Sequence, residues 1–245
     1  MLIGMGKSGR RQAAEALRRQ RAAEARRKKV LFGVAIGGAV VLIGGLLGLG
    51  IWLNRDSGYE VNDPAAATTD SYAVQIGSGP VEVDIYLDYL CPACKQFEST
   101  YAGNIQAWVD AGSVTVNYHP IAILDRLSQG TEYSTRAAAS AVCAADVGEQ
   151  EFLDYTVALY EHQPAENSQG LSDDELTSIG ADVGLGSDWE QCVADGAYKG
   201  WVQAGTESAT GDQGVSGTPT VKVGGEEVDP ADFVAEVEAA IANGS

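Results

Sequence analysis

The sequence predicts an α/β domain with a block of helices inserted into its sheet, preceded by one transmembrane helix. Three observations carry that expectation. First, an alternating apolar run from Val81 to Asp88 hands over to a helical pattern at Cys91-Pro92-Ala93-Cys94, and a second strand follows from Ser113 to Tyr118. Second, residues 131–210 read as helices before strand character resumes at Thr218. Third, Val30 to Leu53 is an uncharged run of 24 residues, long enough as a helix to cross a hydrocarbon core of about 30 Å.

Charge divides the 245-residue chain into two environments. Up to Arg55 there are eleven Lys/Arg against Glu15 and Glu24, a balance of +9; the remainder carries five Lys/Arg against 32 acids, a balance of −27. Residues 1–29 form a basic tail that signals topology and suits anionic lipid headgroups. Arg26, Arg27, Lys28 and Lys29 directly precede the span at 30–53, so the positive-inside rule puts the tail in the cytoplasm and the acidic part outside. The apolar core is too long for a cleaved signal peptide, which leaves an uncleaved single-pass anchor in the cell membrane. A domain at −27 excludes a nucleic-acid partner.

Residues 54–71 are rich in Asp, Ala, Thr, Ser and Gly, offer little to bury, and read as a flexible linker. The folded domain is then expected over 72–245. It begins with a strand at Tyr72 to Ile76, a turn at Gly77-Ser78-Gly79-Pro80 and the buried strand Val81 to Asp88. A helix from about Pro92 to Val109 stops near Gly112, and the strand Ser113 to Tyr118 ends in His119-Pro120. Within the inserted block, about 131–210, helices are expected at Arg136 to Val147, at Glu151 to Glu161, at Leu176 to Val183 behind the capping signal Ser172-Asp173-Asp174-Glu175, and at Asp188 to Ala197. Strands at Thr218 to Val223 and Glu226 to Val228 and a helix over Pro230 to Ala242 close the chain.

The chemistry concentrates on cysteine. All four, Cys91, Cys94, Cys143 and Cys192, lie on the outward side, where disulfides persist. Cys91 falls where a strand gives way to a helix, so unpaired N–H groups and the positive end of the helix dipole stabilise its thiolate, and Cys94 follows one turn on. A C-x-x-C pair alone also serves as half of a zinc site, but the only histidines, His119 and His162, are far apart in sequence.

Two motifs together, Asp88-Tyr89-Leu90-Cys91-Pro92-Ala93-Cys94 and the later Val215-Ser216-Gly217-Thr218-Pro219-Thr220-Val221, give 72–245 a resemblance to extracytoplasmic DsbA-like disulfide oxidoreductases of the thioredoxin fold. The resemblance implies that Cys91 is the attacked sulfur and Cys94 its redox partner. It also implies that Pro219 follows a cis peptide bond with its ring against the two cysteines, and that the backbone of Thr218 pairs with an extended substrate. No cofactor is implied. The expected partners are reduced, cysteine-containing exported proteins and a membrane re-oxidising protein, DsbB-like or VKOR-like.

Two positions depart from the family pattern. Ala93 stands where strong oxidants carry histidine, and Ile85 stands six residues before Cys91 where many relatives keep a buried acid. Strand alternation puts Asp84 and Asp88 on the face opposite Ile85. Cys143 and Cys192, both in the inserted block and without C-x-x-C spacing, read as a structural disulfide between helices, with a regulatory or shuttle disulfide as the alternative.

The leading expectation is therefore a membrane-tethered thiol oxidase using Cys91 and Cys94. A reductase or isomerase on the same scaffold is the runner-up, because Ala93 removes one source of thiolate stabilisation. A non-catalytic copper-binding tether is a third reading, which would want a histidine or methionine beside the pair.

Overall fold

The computed structural model describes residues 58–68 and 71–244. The basic tail (1–29) and the membrane span (30–53) expected from the sequence lie outside the described residues. Among the described residues, no helix is long and apolar enough to cross a membrane.

The sheet grows from the alternation in the sequence. Its strands are β1 (Ala67–Thr68), β2 (Ala73–Gly77), β3 (Val81–Leu87), β4 (Val114–Pro120), β5 (Thr220–Val223) and β6 (Glu226–Val228), in the spatial order β1-β2-β4-β3-β5-β6. Only β3 and β4 pair in parallel, with Ile85 opposite Tyr118; the other pairs are antiparallel. The parallel pair needs a crossover, supplied by helix α1 (Pro92–Asp110). Val83, Ile85 and Leu87, which alternation puts on one face of β3, are buried, as a strand laid on the core requires. This places the end of β3, and the thiols behind it, at the centre of the sheet's edge.

The inserted block holds α2 (Tyr133–Ala145), α3 (Glu149–Glu161), α4 (Asp173–Asp182), α5 (Ser187–Asp195) and α6 (Lys199–Gly211), and α7 (Phe233–Asn243) closes the fold. Every residue of α2 except Arg136 is buried, which its alanines permit by letting α3, α5 and α6 approach closely. The capping signal forms as read: the Ser172 hydroxyl accepts from the Glu175 N–H, and the Glu175 carboxylate accepts from the Ser172 N–H at 2.7 Å.

Helix α6 has no separate counterpart in the sequence reading, because Gly200, Gly205 and Gly211 interrupt its helical pattern. Gly200 has a packing reason. A Cβ there would sit 2.2 Å from the carbonyl oxygen of Glu60, so only glycine lets the chain before β1 cross the helix.

That crossing corrects the expected linker, 54–71, over its described part. The Tyr59 hydroxyl donates to Glu132 at 3.0 Å, the Asn62 amide to the Ala197 carbonyl at 3.1 Å, and the Ala66 N–H to Asp146 at 3.2 Å, after which Ala67–Thr68 pairs with β2. Residues 58–68 are a strap bound to the inserted helices. Composition reports only that such a segment has little apolar surface; it is silent about hydrogen bonds, which hold this one.

A disulfide joins Cys143 on α2 to Cys192 on α5, 49 residues apart. Replacing both cysteines by alanine is expected to lower the unfolding free energy by about 4 kcal/mol, the chain-entropy value for a loop of this length. A urea titration of native and substituted protein reads the difference; equal midpoints and slopes would overturn it.

Candidate active site

Strand β3 ends at Leu87, and Asp88-Tyr89-Leu90 turns the chain into α1, whose N-cap is Cys91. Pro92 opens the helix, where its missing N–H costs nothing. Cys91 and Cys94 are both unbonded thiols, 6% and 2% exposed. The Cys91 thiol donates to the Thr218 carbonyl at 3.2 Å, and the Thr218-Pro219 peptide bond is cis. The structure thus brings Cys91, Cys94 and Thr218 together and sets Pro219 beside Ala93 and Phe97 in one cleft of about 400 Å³. Cys143 and Cys192 are bonded to each other within the inserted block.

The two sulfurs are driven apart electrostatically. Donation from the Cys94 thiol lowers the Cys91 pKa most; the Thr218 side chain and the N–H groups of Cys94 and Ala93 lower it further, and against burial the net result is about 6. Cys94 moves the other way. Burial, and then the neighbouring Cys91 sulfur, raise it well above the ordinary thiol range. At neutral pH the pair is a thiolate beside a thiol, which is the state that exchanges with a disulfide.

Two acids are buried, where carboxylates are ordinarily left in water. Asp88 is 0% exposed and Glu98 is 3% exposed. Alternation set Asp88 on the face opposite Ile85, but β3 stops one residue earlier, so the pleat no longer governs it. Its carboxylate folds back to accept from the Leu90 N–H (2.9 Å), the Ser134 hydroxyl (2.7 Å) and the Leu124 N–H (2.9 Å). Asp88 ties the active-site turn to the loop after β4 and to α2. Burial pushes its pKa up to about 7 against those three donors.

Glu98 lies one turn beyond Cys94, at the i+4 position that shares its face of α1. Its Oε2 is buried with no partner in the protein. Burial alone raises its pKa to about 7. The signal for it was present in the sequence: an acid four residues from Cys94, on the face that turns the sulfur inward. Asp84, within β3, instead meets one ring nitrogen of His119 at 3.0 Å, while the second ring nitrogen of His119 meets the Ser71 carbonyl.

The inserted block reaches the turn through the end of α3. The Tyr160 hydroxyl donates to the Asp88 carbonyl, the Tyr89 hydroxyl meets Thr156, and the Gln163 amide donates to the carbonyls of both Tyr89 and Cys91, each at 2.9 Å. Nothing in the pattern of the sequence singles out Gln163. A glutamine just past a helix end reads as solvated until the fold puts two carbonyls before it.

The family model described as Thioredoxin matches residues 74–243. Among solved structures, the chain is similar to the reduced form of the disulfide bond oxidoreductase DsbG of Mycobacterium tuberculosis, at 31% identity over 74% of this chain and 91% of that one, with a TM-score of 0.62. It is also similar to oxidised DsbA of the same organism, at 31% identity over 71% of this chain and 100% of that one, with a TM-score of 0.60. MdbA, a thiol-disulfide oxidoreductase of Corynebacterium diphtheriae, shares the fold at 22% identity over 75% and 99%, with a TM-score of 0.61. Curated relatives include the serine/threonine-protein kinase PknE of M. tuberculosis, 32% identical over 157 residues; that match takes in 60% of this chain and spans only 28% of the kinase.

Proposed function

This chain belongs to the thioredoxin family and is a DsbA-like protein disulfide oxidoreductase, and from that premise we propose that it is a membrane-tethered oxidase that introduces disulfides into exported proteins through Cys91 and Cys94. The observation that carries the direction is the divergence of the two sulfurs, with Cys91 lowered to about 6 by donors around it and Cys94 raised. A thiolate stabilised in the reduced protein makes its oxidised form the stronger oxidant.

The cycle balances two electrons. A substrate thiolate attacks Cys91 Sγ of the Cys91–Cys94 disulfide, a mixed disulfide forms, and Cys94 leaves with the electron pair and takes a proton. A second substrate thiolate then attacks the substrate sulfur of the mixed disulfide, closing the substrate disulfide and releasing Cys91 as the thiolate that its neighbours stabilise. The structure is in this dithiol state, with Cys91 and Cys94 unbonded. Return to the disulfide requires a two-electron acceptor, the role of a membrane re-oxidising partner of the DsbB-like or VKOR-like kind. The charge reversal from +9 to −27 supports the tethered, outward-facing placement.

The test is oxidative refolding. Oxidised ectodomain mixed with a reduced, unfolded, cysteine-containing protein is expected to restore native disulfides faster than glutathione alone; equal rates overturn the proposal. Ala93 favours a reductase or isomerase as the second reading, and the Cys91/Cys94 potential separates the two. A value near about −120 mV marks an oxidant and one near about −270 mV a reductant.

A further inference from the structure

Helix α1 begins without the usual means of fixing a first turn. Its N-cap, Cys91, offers a sulfur in place of the usual capping oxygen, and its first turn holds no acidic residue. Yet the thiolate depends on that turn, because the N–H groups of Ala93 and Cys94 must point at Cys91 Sγ to stabilise it. Something outside the helix has to set the peptide planes.

We propose that Gln163, from the inserted block, is a positioning residue for the exchange reaction, its side-chain amide pinning the Tyr89 and Cys91 carbonyls and so aiming the first turn of α1 at the Cys91 sulfur. The geometry is unambiguous about the donor. Both partners are carbonyl oxygens at 2.9 Å, so only the amide nitrogen, with two hydrogens, can face them. The two carbonyls flank Leu90 and sit at the last turn residue but one and at the N-cap itself. Holding them fixes the peptide unit entering Leu90 and the one leaving Cys91, on either side of the Leu90–Cys91 link. The Cys91 carbonyl also accepts the first helical bond, from the Lys95 N–H at 3.2 Å, so Gln163 and the helix share one acceptor and are locked in register.

The surroundings make Gln163 the end of a rigid lever. It follows α3 directly, and its own N–H donates to the Tyr160 carbonyl. Tyr160 is buried and donates to the Asp88 carbonyl at 3.4 Å, and Lys95 reaches back to the Glu161 carbonyl. The inserted helices thereby do more than cover the sheet: they orient the turn on which the reactive sulfur stands. Gln163 touches neither sulfur, so its influence passes entirely through the backbone.

The inference rests on Cys91 being the activated sulfur, and the experiment separates failure of that reading from failure of this one. The rate of alkylation of reduced ectodomain by iodoacetamide, followed from pH 4 to 10 and resolved by residue, reports the Cys91 thiolate. Native protein is expected to show a midpoint near pH 6; a midpoint above pH 8 would remove the activated-sulfur reading itself. Gln163→Met keeps length and removes the donor. Its midpoint is expected to rise by about one unit, a tenfold loss of thiolate at pH 5, with the high-pH plateau held within about threefold.

The other titratable groups around the pair, Cys94 on α1, Asp88 in the turn and Tyr160 on α3, are unchanged by that substitution. A purely structural role would lower the melting temperature and leave the midpoint in place, so a midpoint within 0.2 unit of native overturns the proposal. Gln163→Lys restores a donor. It is expected to keep the midpoint at or below the native value, and a rise there overturns the proposal even if Gln163→Met does not fold.

Discussion

Replacing Cys91 by serine is expected to abolish thiol–disulfide exchange, reducing the rate at least about 1000-fold to the uncatalysed background. The reason is specific to sulfur. The serine hydroxyl does not ionise at working pH and cannot form the mixed disulfide, while Cys94, the only other free thiol among the described residues, is buried and raised well above the thiol range. Oxygen in place of sulfur leaves Thr218 and the first-turn N–H groups in position but gives them no thiolate to hold. The complementary substitution separates the two roles. Cys94→Ala keeps the activated Cys91 and removes its partner, so reaction with a disulfide stops at the mixed adduct. Non-reducing mass spectrometry reads this as a covalent complex that persists with Cys94→Ala and is absent with Cys91→Ser. A persistent adduct in the Cys91→Ser protein would sink the assignment.

Cys91, Cys94 and Thr218-Pro219 were legible in the sequence because each is a local pattern: a C-x-x-C at a strand-to-helix junction and a proline ahead of a strand. The sheet was legible for the same reason, since β3 and β4 alternate or run apolar over their whole lengths. What the sequence did not disclose is held by contacts between distant segments. Asp88 escapes the alternation rule because β3 ends one residue before it, and its donors come from Leu90, Leu124 and Ser134. The strap over 58–68 is bound through Glu132, Ala197 and Asp146, none of which is near it in sequence. Gln163 is the extreme case, a polar residue whose two partners lie more than 70 positions away. Local periodicity reports which face a residue shows, and it carries no information about which carbonyl waits opposite.

The two buried acids are expected to respond in opposite directions when their charge is removed, and together they set how stability depends on pH. For Glu98 the folded pKa is raised, from 4.5 to about 7. The folded state therefore binds more protons than the unfolded state between those values, and stability falls as pH rises through that window. Below pH 4.5 the penalty is absent; by pH 8 it reaches about 3 kcal/mol. Glu98→Gln keeps a neutral polar group of the same size, so it is expected to stay within about 1 kcal/mol of native protein at pH 5 and to exceed it by about 3 kcal/mol at pH 8. Asp88 has the same raised pKa, yet its carboxylate satisfies three donors that burial leaves with no water to turn to. Asp88→Ala strands the Leu90 and Leu124 N–H groups and the Ser134 hydroxyl at roughly 1–3 kcal/mol each, a loss of about 5 kcal/mol. Urea titrations at pH 5 and pH 8 measure both. A Glu98→Gln protein no more stable than native at pH 8 would mean that Glu98 Oε2 has a partner after all, and an Asp88→Ala protein within 1 kcal/mol of native would mean that the three donors find other acceptors. An orphan carboxyl one turn from Cys94 lowers stability at neutral pH and satisfies no protein donor at Oε2, whereas Asp88 is the joint that holds the turn.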